Sequence, residues 1–104
     1  MDADFIKAIH AKGERVVDRH GELIGKVRQV ACDPNTYNAE WLVVKTSVLG
    51  RPRLVPVEGA IDLGDTVRVP FSKETVLTAP VPEVAIAPAM SECTALEKHY
   101  HRAA

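Results

Sequence analysis

The side chains able to do chemistry are few and scattered along the chain. His20 follows Asp18 by two positions, Glu97, His99 and His101 crowd the C-terminal stretch, and Cys32 and Cys93 are the two thiols. A catalytic centre needs such groups to converge in a cleft. His20 stands beside Gly21, where a solvated turn residue is expected. On a helix His99 and His101 diverge by about 200°, so they cannot share one metal ion. Glu97 with His101, or Cys93 with Glu97, share a helical face, but two ligands make an incomplete site. The thiols lie far apart with no CxxC spacing, which predicts separate reduced cysteines. No phosphate-binding loop, dinucleotide fingerprint or nucleophile elbow appears. The expectation is a protein without catalytic residues, cofactor or metal.

Elements that could position these groups must come from one domain. The chain has 104 residues, 46% of them hydrophobic and 26% charged, which is globular composition. Thirteen Lys and Arg against 14 Asp and Glu give a net charge of -1, so no global positive field draws nucleic acid or anionic lipid. The basic residues Lys26, Arg28, Arg51, Arg53, Lys98 and Arg102 leave an RNA- or ribosome-associated factor as an alternative. Base stacking favours exposed aromatic residues, however, and this chain has five in all. The most apolar stretch, Ala79 to Met90, is broken by Pro80, Pro82, Glu83 and Pro88 and cannot span a bilayer. The start, Met1-Asp2-Ala3-Asp4-Phe5, is acidic where an export signal is basic, which predicts a cytoplasmic protein.

Glycine and proline cut the sequence into short segments. Glu14 to Asp18, Leu23 to Cys32, Glu40 to Thr46, Leu54 to Val57 and Thr66 to Phe71 read as strands, giving five or six in a small all-β barrel or sandwich. Gly21 supplies a hairpin turn, and Asp33-Pro34-Asn35 a second reversal. Alternation places Val67, Val69 and Phe71 on one face and Arg68 on the other. Trp41 and Val43 oppose Leu42 and Val44, so that strand should be covered on both sides. Ile24, Val27 and Val30 recur every third residue, which predicts a bulge near Arg28 or Gln29. Pro56 and Pro70 lack a donor and should mark strand ends or edges.

Two flanking pieces look helical. Asp4 to Ala11 gathers Phe5, Ile6 and Ile9 on one face. Ser91 to Ala103 offers Ser91 as an N-cap and Met90, Cys93, Leu96 and Tyr100 as an apolar stripe. Between strands and helix a proline-stiffened segment carries Val81, Val84 and Ile86, expected to pack along the barrel wall. The predicted organisation is an N-terminal helical segment over 1–13, a barrel over 14–80, an extended linker over 81–90 and a helix over 91–104.

The ordered set Val17-Asp18, Gly21-Glu22-Leu23-Ile24-Gly25-Lys26-Val27, Glu40-Trp41-Leu42-Val43-Val44 and Leu54-Val55-Pro56-Val57 resembles a PRC-barrel domain. The run Val67-Arg68-Val69-Pro70-Phe71-Ser72-Lys73, with Val76, Ala79-Pro80 and the later His99-Tyr100 pair, resembles its short stand-alone bacterial members. Relatives include the cytoplasmic domain of the photosynthetic reaction-centre H subunit and the C-terminal domain of the ribosome maturation factor RimM. The resemblance implies a mainly β, PRC-like barrel acting as an assembly or docking module, with no catalytic residues to carry over. The loop Ser47 to Arg53 is the first contact candidate, because Val48 and Leu49 stand beside Arg51 and Arg53. The helix face with Leu96 and Tyr100 is the second, packing either on its own barrel or on another copy. The functional expectation is a non-catalytic, homodimeric protein that docks a protein partner; the alternatives are the RNA- or ribosome-associated factor and a small-ligand or metal-binding protein.

Overall fold

Among the described residues, valine-rich segments between the turns form six strands in a single sheet. The computed structural model describes residues 13–32, 39–47, 49–85 and 87–103. In chain order β1 spans Arg15–Val17, β2 Leu23–Cys32, β3 Ala39–Lys45, β4 Arg53–Pro56, β5 Ile61–Asp62 and β6 Thr66–Arg68. Two helices follow, α1 over Lys73–Leu77 and α2 over Met90–Ala103. The sheet order is β4-β3-β2-β1-β6-β5, antiparallel throughout except where β1 runs parallel to β6. The N-terminal helical expectation, the Asp33-Pro34-Asn35 turn, Val48 and Ile86 lie outside the described residues.

The long strand β2 pairs with both β1 and β3, and its register shifts between Val27 and Gln29. Arg28 is thus the extra residue of the expected bulge, which lets Ile24 and Val27 on one side of it and Ala31 on the other all be buried. On β3 Trp41, Leu42, Val43 and Val44 are all buried, as its two apolar faces require. Val67, Val69 and Phe71 are buried while Arg68 is exposed. Strand β6 itself ends at Arg68, yet the pairing with β1 continues: the Val69 N–H donates to Val17 O at 3.0 Å and the Arg19 N–H to Phe71 O at 3.1 Å.

The sheet has the expected mainly β, PRC-barrel-like form, left open at one seam. Among the described residues no ladder joins β4 to β5, so the strands curl without closing. Helix α2 lies against the β4 edge instead, where the Tyr100 hydroxyl donates to the Leu54 carbonyl. Pro56, the last residue of β4, has no N–H to extend pairing. The other edge, β5, is only two residues long. A covered edge and a very short one both discourage strand addition.

The core joins both sides of β3 to the helices. Leu42, Val44, Leu54 and Val55 are essentially inaccessible, as are Val76 of α1 and Leu96 of α2. The Tyr100 ring lies 4.7 Å from the Phe71 ring and 6.5 Å from the Trp41 ring between centroids, both tilted, so α2 is fixed by aromatic contacts. In the proline-rich segment Pro82 is buried and Ala85 packs on the core, whereas Val84 is 53% exposed. The segment therefore hugs the sheet through residues other than the expected Val84.

Candidate functional site

Asp18 is the buried carboxylate among the described residues, at 1% exposure. Its position follows from the hairpin: Gly21 takes φ 86°, and the Asp18 N–H donates to Glu22 O at 2.8 Å. That turn aims the His20 and Glu22 N–H groups at Asp18 Oδ1, at 2.8 and 2.9 Å. Oδ2 accepts the Lys73 N–H at 3.0 Å, at the start of α1. Ser72 caps the same helix by accepting the Thr75 N–H. Burial pushes the Asp18 carboxyl upward, but the three backbone donors and nearby His20 outweigh it and hold it below the usual value. Asp18 thus stays ionised and pins the first hairpin to α1. His20, whose side chain is exposed, accepts a bond from Arg19 Nε at 3.2 Å.

The other candidate groups also serve the fold. His99 meets the Thr75 carbonyl through Nε2 at 2.7 Å and stands edge-on to Tyr100, 5.3 Å between centroids. It joins α2 to α1. Ser91 is not the cap of α2. Glu92 takes the capping role, with Oε1 accepting the Ala89 N–H and Oε2 the Glu83 N–H, each at 2.8 Å. Those bonds lower the Glu92 pKa, with a further contribution from the Arg51 charge. Cys93 is partly buried, and burial together with Glu40, Glu97 and Glu92 raises its thiol pKa, so it is held protonated. Among the described residues no three His, Cys, Asp or Glu side chains group as metal ligands.

The predicted contact residues divide. Leu96 and Tyr100 are buried within the chain, 0% and 3% exposed, so these two residues pack on its own sheet and are unavailable to a partner, whereas Met90 of the same stripe is 86% exposed. Leu49, by contrast, is 98% exposed on a turn in which the Gly50 N–H donates to Ser47 Oγ. Arg51 is exposed, while Arg53 is half-buried and donates to Ala79 O at 3.2 Å. Arg51 and Pro52 border a depression of about 410 Å³ with Arg28, Glu83 and Val84. The loop, the proline-rich segment and the first turn of α2 thus meet at one end of that helix.

Near the other end of α2 lies a broader groove of about 880 Å³ that sequence reasoning missed. Trp41, Pro56, Pro70 and Phe71 line it, and Glu40, Glu58 and Glu97 stand around it with Lys98 and His101. These residues come from β3, β4, the segments after β4 and β6, and α2, so no local motif announces them. Gly59, at φ 82° against the Pro70 ring, sets one wall.

Among the described residues no helix is long and apolar enough to cross a membrane. No curated protein matches the chain. A family model for the PRC-barrel domain matches residues 10–76, which takes in all six strands and most of α1. With that match covering more than half of the sequence, and with the curled sheet and helices just described, the chain belongs to the PRC-barrel domain family.

Proposed function

We propose that this PRC-barrel protein is a non-catalytic, cytoplasmic docking module, homodimeric, that presents the loop 47–53 to a protein surface. The observation that carries this reading is Leu49, 98% exposed and followed within two residues by the exposed Arg51. A fully solvated leucine is not needed by the fold, and an apolar side chain beside a guanidinium suits a desolvated contact with a polar rim. The sheet behind it holds the loop ends: β3 ends at Lys45, and β4 begins at Arg53, anchored to Ala79. A rigid scaffold with an exposed loop favours binding by limiting the ordering cost.

The experiment is affinity capture from native lysate with wild type and with a Leu49→Asp, Arg51→Glu variant. The variant is expected to keep its fold, read by Trp41 emission, and to lose partners that wild type retains. Recovery of the same partners by both proteins removes the loop from the docking surface.

A further inference from the structure

The acidic groove at one end of α2 and the cationic loop at the other have complementary chemistry. The groove sets an apolar lining against three carboxylates, Glu40, Glu58 and Glu97, with Lys98 and His101 as its basic members. The loop offers one fully exposed leucine and one exposed arginine, Leu49 and Arg51. Arg53 is not part of that offer, because its guanidinium is held by Ala79 O. Trp41, Pro56, Pro70 and Phe71 supply the apolar part of the groove lining.

We propose that the groove receives the loop 47–53 of a second copy of this chain, exchanged reciprocally so that two copies close on each other. This inference rests on the docking reading of the loop and names its partner. Arg51 lies near the first turn of α2, beside Glu83, whose N–H is bound by Glu92, whereas the groove uses Glu97, Lys98 and His101 near the helix end. A 14-residue helix is about 21 Å long. A two-fold axis crossing α2 near its middle sets the two α2 helices antiparallel and brings each loop to the partner's groove. Thr94 and Ala95, both exposed and small, occupy that crossing point and allow close approach. Because the exchange is mutual, the assembly closes as a dimer and does not propagate into a filament. Opposite charges on loop and groove set the register of the contact, and the apolar leucine supplies the burial.

The test compares sedimentation velocity and light scattering for three proteins: wild type, Arg51→Glu, and Glu58→Lys with Glu97→Lys. Wild type is expected to give twice the 11.3 kDa chain mass at tens of micromolar. Each variant alone should dissociate at least tenfold more readily, a loss of about 1.4 kcal/mol by conversion of that ratio. Mixing the two variants should restore the dimer, because one contact then pairs the two reversed charges and the other is the wild-type pairing. Unchanged Trp41 emission of each variant in the monomer range checks the fold. A wild-type mass that stays at 11.3 kDa up to about 200 micromolar overturns the inference, while the loop reading stands or falls on the capture experiment. A groove variant that dimerises like wild type while Arg51→Glu does not overturns the groove as the seat and leaves the loop as a contact. Two variants that both dimerise like wild type, or a mixture without rescue, also overturn it.

Discussion

Replacing Asp18 with asparagine tests whether one buried carboxylate holds the hairpin to α1. The side chain keeps its size and one acceptor oxygen. If that oxygen takes the Oδ1 place it still receives the His20 and Glu22 N–H groups, and the new amide nitrogen then faces the Lys73 N–H donor. One charge-assisted hydrogen bond is lost and two donors are opposed, a destabilisation of about 2 kcal/mol. Alanine, which removes all three acceptor contacts, should cost about 3–5 kcal/mol. Against a total stability of about 5–15 kcal/mol for a chain of this size, either change is large. For the asparagine variant the melting temperature should fall by about 8–16 °C. Urea unfolding followed by Trp41 emission reads this directly, since Trp41 is the one tryptophan and is buried. The pH dependence has a fixed sign. The folded pKa of Asp18 lies below its unfolded value, so the stabilisation is fully present above about pH 4 and is lost as pH falls through the folded pKa. The gap between wild type and Asp18→Asn should therefore narrow on acidification below about pH 4. An asparagine variant within about 0.5 kcal/mol of wild type at neutral pH refutes the reasoning, as does a gap that does not change with acid.

Two further substitutions probe the sheet and its covered edge. Gly25→Ala places a Cβ against the Lys45 carbonyl, a backbone atom that cannot move aside cheaply, so a loss of about 1–3 kcal/mol is expected in thermal unfolding. Tyr100→Phe keeps the ring against Phe71 but leaves the Leu54 carbonyl without its hydroxyl donor, for a loss of about 1–2 kcal/mol in the same urea assay. Burial drives the Tyr100 pKa far upward, so its stabilisation is intact below about pH 10 and lost as pH rises beyond it; the phenylalanine variant should lack that part of the alkaline decline.

Local patterns fixed the parts of this fold that are local. The limits of β2 and the bulge at Arg28 follow from a valine period that alternation alone cannot satisfy. The buried strand around Trp41 follows from its two apolar faces. By contrast, α1 is five residues long and β5 two, too short for any hydrophobic period, although Ser72 as an N-cap with Thr75 three residues on was a usable signal for the helix. The parallel pairing of β1 with β6 joins residues about fifty positions apart and leaves no mark on either segment. Asp18 was legible as a turn residue, but its bond to Lys73 depends on that same long-range pairing. The stripe of α2 was legible as apolar without showing what it would cover, and Leu96 and Tyr100 turned out to cover the chain's own sheet. The groove was least legible, since Glu40, Glu58 and Glu97 meet only after β3, the segment beyond β4 and α2 are assembled.

Ionisable groups with displaced pKa values commonly mark active sites, because catalysis needs them tuned. In this chain the displacing partners are of another kind. Asp18 and Glu92 are lowered chiefly by backbone N–H groups that they cap, in a turn, at the start of a helix and across a loop. Tyr100 is raised by burial at a strand edge whose carbonyl it satisfies, and Cys93 by burial among carboxylates that discourage its thiolate. For Asp18, Glu92 and Tyr100 the displacement accompanies a bond to the backbone, and for Cys93 it comes from burial beside carboxylates. What the fold leaves unused is at its surface: an exposed leucine and arginine at one end of α2, and an apolar, acidic hollow near the other. That division of labour is the physical ground for reading the protein as a surface to be gripped.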